Sequence, residues 1–116
     1  MQMHDIAFGI TDWSSIAPTT HPGDSGTALW RTCNFGRTGA DSPIRVRLVE
    51  YSPGYLADHW CSKGHVVFVV EGEFESELAD GRKFTLTPGM SYQVADNAEA
   101  HRSFTQRAHT RSLTLP

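Results

Sequence analysis

The chain has no apolar run near the ~20 residues a bilayer-spanning helix needs. Its opening, MQMHDIAFGITDW, lacks the basic and apolar blocks of a secretory leader. No membrane partner is expected, and the expected address is cytoplasmic. Basic excess is missing too. A net charge of −3 provides no concentrated positive face for a polyanion, so no nucleic acid partner is expected. Cysteine is scarce, and Cys33 and Cys61 lie far apart in a chain without export signals, where a structural disulfide would be unusual. Both are expected to be reduced, or one to be bound to metal. There is no sustained helical repeat, no fixed-period repeat and no low-complexity tract.

The 116 residues read as a single domain, 1–116, with enough apolar material for one core. Short β-prone runs follow one another: TALWRTCNF, IRVRLVEY, HVVFVVEG, EFESEL, KFTL, SYQVA, RSFT and TRSLTL. Turn signals separate them at Pro53-Gly54, Gly64, Gly72, Asp80-Gly81 and Pro88-Gly89, with a hairpin expected at Asp80-Gly81. Residues 14–26 and 36–43, rich in Ser, Thr, Pro and Gly, read as irregular surface. The expected fold is all-β: an antiparallel sandwich or small barrel with little or no helix.

The run HVVFVVE is apolar on both parities. Val67 and Val69 can face a core while Val66, Phe68 and Val70 face outward and need a cover. Candidates are a second sheet edge, the N-terminal segment (1–26) with Ile6, Phe8, Ile10 and Trp13, or a second copy of the chain, so a homodimer is expected.

The stretch DHWCSKGH, Asp58 to His65, concentrates two histidines and a cysteine. On a strand His59 and Cys61 share a face with Trp60 opposed. A continuous strand would carry His65 about 20 Å from His59 at roughly 3.3 Å per residue. Ligands to one metal must gather around bonds of about 2.0 to 2.3 Å, so the chain must bend after Cys61 for a shared site. Ser62-Lys63-Gly64 is the expected bend, glycine tolerating positive φ. His101 follows the strand SYQVA, and barrel closure can bring it opposite the others. Structural histidines beside a buried thiol, or Cys61 as a nucleophile with a histidine base and Asp58 orienting it, are the competing readings.

The spacing resembles that of the cupins, small β-barrels with a first motif G(X)5HXH(X)3-4E(X)6G. Here Gly54 is followed by His59-Trp60-Cys61, then His65, then Gly72. Cys61 stands at the second histidine of that motif and His65 at its glutamate. The second motif, G(X)5PXG(X)2H(X)3N, is looser: Gly89 opens it, Ala95-Asp96-Asn97 replaces PXG, His101 comes one residue late and Thr105 sits near the final Asn. The resemblance covers residues 54–101. Asp58-His59-Trp60-Cys61 is also similar to the motif of the small single-domain DHCW cupins, with its last two letters exchanged.

That resemblance implies a jelly-roll barrel with His59, Cys61, His65 and His101 around a divalent metal, beside a pocket for a small-molecule ligand. Three imidazoles and a thiolate favour zinc, with iron or nickel as alternatives. Asp58 and Glu71 are candidate partners for the ligand rings. The implied function is a small metal-binding cupin of unassigned activity. Its alternatives are a ligand-binding or sensing module with a structural metal, and an iron-dependent dioxygenase.

Other residues read more plainly. Cys33 is expected in the core; His4, His21 and His109 are expected to be solvated; Trp60, Tyr92 and Phe104 are expected to pack. Arg45 and Arg47 alternate with Val46 and Leu48 and read first as a solvated or interface face, with an inward, anion-binding orientation as the alternative.

Overall fold

A computed structural model describes residue 3 and residues 5–36 and 44–115. Nine strands follow in chain order: β1 (Thr19–Pro22), β2 (Thr27–Phe35), β3 (Ile44–Tyr51), β4 (His65–Glu71), β5 (Phe74–Leu78), β6 (Lys83–Leu86), β7 (Ser91–Val94), β8 (His101–Phe104) and β9 (Thr110–Leu115). They form a six-stranded sheet, β1-β2-β3-β9-β4-β7, and a three-stranded sheet, β6-β5-β8, with antiparallel neighbours throughout. This is the all-β jelly-roll architecture expected from the short strands and turn signals.

Side-chain alternation builds the core. On β4, Val67 and Val69 are buried, and they meet Ala28, Val49, Tyr51, Phe74 and Leu86 from the other strands. Phe74 anchors the smaller sheet, with its ring at the edge of Tyr51. The opposite parity of β4 is outward, and Val66, Phe68 and Val70 are 44%, 42% and 45% exposed, so no described segment covers them fully. Strand register lines up Phe68, Leu113 and Leu48 across this outer face.

The N-terminal segment covers less of that face than expected. Phe8 and Ile10 project into solvent, whereas the 3-10 turn Trp13–Ser15 rests near Arg31, Leu48 and Arg111 on the outside of the sheet. Cys33 is not a core residue. Ala28 fixes the inward parity of β2 as even, so Cys33 faces outward opposite Val46 and is half-buried. Part of the stretch read as irregular, Thr19–Pro22, is strand β1 paired with β2. An edge strand tolerates Pro22 because its outer amide needs no partner. His21 lies on this strand, stacked on Trp30 with centroids 3.5 Å apart, and is not freely solvated. His109 is exposed, as expected, and His4 and most of the 36–43 stretch lie outside the described residues. Among the described residues no helix is long and apolar enough to cross a membrane.

The turn glycines divide into two kinds. Gly81 closes the β5–β6 hairpin at φ 97° with open space where a Cβ would stand. Gly72 adopts φ 79°, but a Cβ there would run into the His109 carbonyl and come 2.7 Å from Thr110 Oγ1. Gly81→Ala should therefore cost about 1 kcal/mol from backbone strain alone. Gly72→Ala should cost at least about 2 kcal/mol more, because strain and steric clash combine. Urea unfolding of the two variants checks this, and equal losses would show that the clash is not felt.

Candidate metal centre

The site begins with a two-residue bridge. Cys61 N–H donates to the His101 carbonyl at 2.7 Å, and His101 N–H donates back to the Cys61 carbonyl at 3.0 Å. Residues exchanging both bonds face each other directly and present their side chains on one side. Cys61 thus lies beside His101 without belonging to a continuous strand.

The same ladder explains the position of His59. Ala57 N–H donates to the Ser103 carbonyl and Cys61 N–H to that of His101, so four steps of one chain run against two of the other. The extra length is taken up between Ala57 and Cys61, and the side chains keep the alternation expected of a strand: Ala57, His59, Cys61, Lys63 and His65 all line one cavity, and Trp60 does not. The His59 side chain is 70% exposed at the cavity rim, with Nδ1 2.7 Å from Asp58 Oδ1. That hydrogen bond holds the Asp58 carboxyl below its usual range. Trp60 turns the other way, its ring 4.5 Å from the Arg102 guanidinium.

The bend falls at Ser62-Lys63-Gly64, though not through positive φ at Gly64. Asn97 N–H donates to the Ser62 carbonyl at 2.8 Å, and Gly64 N–H donates to Asp96 Oδ1 at 2.7 Å. A Cβ at Gly64 would lie 2.7 Å from the Asp96 amide nitrogen, so glycine is needed for the close approach of two backbones. The turn delivers His65 to the start of β4 on the opposite sheet.

One metal-ligating atom each from Cys61, His65 and His101 lies within 4.8 Å of the others. These three can hold a metal ion. His101 is buried, and its Nδ1–H donates to the Glu99 carbonyl at 2.8 Å, leaving Nε2 bare and aimed at the group. His65 Nε2 lies 2.9 Å from His101 Nε2 and 3.0 Å from the Tyr92 hydroxyl. Since His101 Nε2 can only accept in the neutral ring, the proton between the two rings belongs to His65. Burial, then His101 and Arg45, pull the His65 pKa down to about 4, so its ring is neutral at pH 7. Burial, with Tyr51 and Cys61 nearby, keeps Tyr92 a protonated phenol.

The partners expected for the ligand rings are partly different. Asp58 reaches only His59, and Glu71 is an exposed residue at the far end of β4, with an oxygen 3.9 Å from Arg111 Nη1. The Glu99 carbonyl and the Tyr92 hydroxyl take that place. Tyr92, expected only to pack, therefore touches the site.

The group sits in the wall of a cavity of about 320 Å³. Arg45 and Arg47 both line it, Arg45 remaining exposed as the solvated-face reading expects and Arg47 half-buried against it: on β3 they share parity with Val49 and Tyr51, whose burial marks the inward side. Lys63 and Arg102 line it as well, and no Asp or Glu does among the described residues. The parity of Tyr51 and Val49 was the available sequence signal for the two arginines. Nothing comparable marked Lys63 or Arg102.

No protein-family model matches the chain, and no curated protein does either. Solved structures do. The polyketide cyclase RemF from Streptomyces resistomycificus is 21% identical, with a TM-score of 0.73 over 94% of this chain and 78% of that one. A cupin-like protein from Thermotoga maritima MSB8 is 15% identical, with a TM-score of 0.71 over 85% and 76%. A sugar phosphate isomerase of the cupin superfamily from Silicibacter pomeroyi DSS-3 is 21% identical, with a TM-score of 0.65 over 92% and 74%.

The lowered pKa of His65 has a stability consequence. In the unfolded chain the ring protonates near pH 6.5, whereas in the fold it does so near pH 4. Between those values the unfolded state binds more protons, so stability is full above pH 6.5 and falls as the pH drops toward 4. The slope should stay below the one-proton limit of about 1.4 kcal/mol per pH unit, because the ring is only partly shielded from water. Urea unfolding in the presence of a chelator, from pH 7.5 to 5, should show this decline in the parent chain and a flatter profile in His65→Gln. Parallel profiles would remove His65 as the source.

Proposed function

From the premise that this chain carries the cupin fold, we propose that it is a small metal-binding cupin that holds a small molecule in its barrel cavity. The observation that carries this reading is the convergence of the Cys61, His65 and His101 donors within 4.8 Å on the cavity wall. Cys61, His65 and His101 would hold the cation, His65 offering Nε2 with its proton moved to Nδ1. The neutral His65 ring and the His101 Nδ1 bond to the Glu99 carbonyl favour such binding, since metal ligands must be deprotonated and oriented. The thiolate makes zinc the first choice over iron or nickel.

His59 is the fourth ligand in this proposal. Its Nδ1 contact with Asp58 would orient and strengthen it, as carboxylates do for metal-bound histidines. A bound cation supplies Lewis acidity, polarising a ligand oxygen or lowering the pKa of bound water. Three donors on a cavity wall, with the fourth at an exposed rim, favour a position open to a ligand over a closed structural site. The neighbours named as a polyketide cyclase and a sugar phosphate isomerase support a small molecule as the occupant. A reducing cytoplasm suits two free cysteines.

Zinc titration with a competing chelator should give one site per chain. Cys61→Ser and His101→Gln should each weaken it by at least about 100-fold, and His59→Gln by about tenfold. With cobalt in place of zinc, the thiolate charge-transfer absorption should vanish in Cys61→Ser alone. Failure of the parent chain to bind one equivalent would end the metal reading, and an unchanged affinity in His59→Gln would reduce the set to three.

A second copy of this chain is the proposed cover for the outer face. Val66, Phe68 and Val70 form an apolar row continued by Leu113 and Leu48, a self-complementary surface suited to an isologous contact. Sedimentation should give a dimer for the parent chain and a folded monomer for Phe68→Glu. A parent chain that sediments as a monomer at tens of micromolar would exclude it.

A further inference from the structure

The cavity is electrostatically one-sided in a protein whose net charge is −3. Arg45, Arg47, Lys63 and Arg102 line it, with no carboxylate in its wall among the described residues. Arg102 is neutralised from behind by Glu77, at 2.7 Å from its Nε. Arg45, Arg47 and Lys63 have no carboxylate within ion-pair distance among the described residues, where the cationic partners are Arg31, Arg82, Lys83, Arg102, Arg111 and histidines.

Arg47 carries the argument furthest. It is half-buried, its guanidinium lies 3.9 Å over the Trp30 ring, and its Nε donates to Thr32 Oγ1 at 3.0 Å. The indole is itself held from its other contact by His21, whose Nε2 is 2.8 Å from Thr19 Oγ1. The stack and the Nε bond fix the plane of the guanidinium and, among the described residues, leave its two Nη groups as an open fork. A fixed, partly desolvated cation without a counter-ion is costly unless an anion meets it. The open fork matches two oxygens of a carboxylate or phosphate.

Strand register relates this fork to the metal-ligating group. Arg47 pairs with Thr114 on β9, and Thr114 with Val67 on β4, so Arg47 lies two strand spacings, about 10 Å, from Val67. Arg45, two residues before Arg47 on β3, and His65, two residues before Val67 on β4, line the same cavity. A volume of about 320 Å³ stands at the small end of ligand pockets, where about 300 Å³ is the lower bound. One small molecule can therefore touch both ends.

We propose that the cavity receives a small molecule bearing an oxyanion, either a carboxylate or a phosphate monoester. Arg45, Arg47 and Lys63 take the oxyanion, and another oxygen of the ligand faces Cys61, His65 and His101. This deepens the proposed function and rests on it only for the ligand's orientation, since the cations stand there with or without a metal.

Isothermal titration calorimetry at low salt tests it, with malonate and inorganic phosphate as probes and glycerol as the neutral control. The parent chain should bind at least one oxyanion in one-to-one stoichiometry and ignore glycerol. Arg45→Gln and Arg47→Gln should each weaken binding by about tenfold or more, the range for a charged hydrogen bond. Arg107→Gln, at an exposed site away from the cavity, should leave it unchanged. Arg45 is exposed, so its variant remains informative even where Arg47→Gln destabilises the fold. Preference for malonate assigns a carboxylate, and preference for phosphate assigns a phosphate ester. Oxyanion binding without zinc binding would support this proposal and sink the metal reading. Zinc binding with neither oxyanion bound, or oxyanion binding equal in the parent and both cavity variants, would overturn it.

Discussion

The reciprocal pair of hydrogen bonds between Cys61 and His101 is the contact on which the site depends. It ties an irregular segment to the start of β8, and directly opposed residues must then present their side chains together. The His101 ring is further fixed by the Glu99 carbonyl, so its position owes little to its own rotamer freedom. His65 arrives from the other sheet by a three-residue turn that works only because Gly64 lets two backbones touch. A metal-ligating group built from backbone constraints loses little entropy on taking a cation, which is the advantage of preorganisation.

The bond ladder on the same stretch also shows where sequence spacing misleads. Counting by twos from Cys61 places His59 on the same face, and that inference is sound for a regular strand. Here His59 and Cys61 do line the same cavity, but four steps oppose two, and His59 stands at the exposed rim, outside the group formed by Cys61, His65 and His101. Nothing in the letters DHWC announces such a bulge, because its cause is the register of β8, far along the chain. Strand positions were easier. The runs TALWRTCNF, IRVRLVEY, KFTL and TRSLTL became β2, β3, β6 and β9 as written, since β-branched runs between turn residues depend little on context. β1 was hidden because its residues, Thr, His and Pro, look like loop, and only pairing with β2 makes them strand.

Parity also governed the two arginines. Arg45 and Arg47 share a face with Val49 and Tyr51, and the burial of those two decides which way the face points. An arginine in a strand is more often solvated, so composition alone favours the outward reading. The whole inward row therefore had to be read together: the apolar end fills the core, and the cationic end reaches the mouth. Cys33 illustrates the same rule, since Ala28 and Trp30 set the inward parity of β2 and leave an odd-numbered thiol outside.

The charges around the cavity and the chemistry of its metal-ligating group are coupled. The field of Arg45 acts on His65 together with burial and His101, and all three disfavour an extra proton there. A cavity that keeps the His65 imidazole neutral keeps it as a lone-pair donor, and the same positive potential that repels a proton would attract an anion. It would also oppose entry of a bare divalent cation, an effect that a thiolate ligand at Cys61 would offset and a neutral third donor would not. In the proposed site a cysteine would therefore have a reason to stand where an imidazole would supply the same number of bonds: as a thiolate on the metal it would let a cation and an anionic ligand share one small cavity.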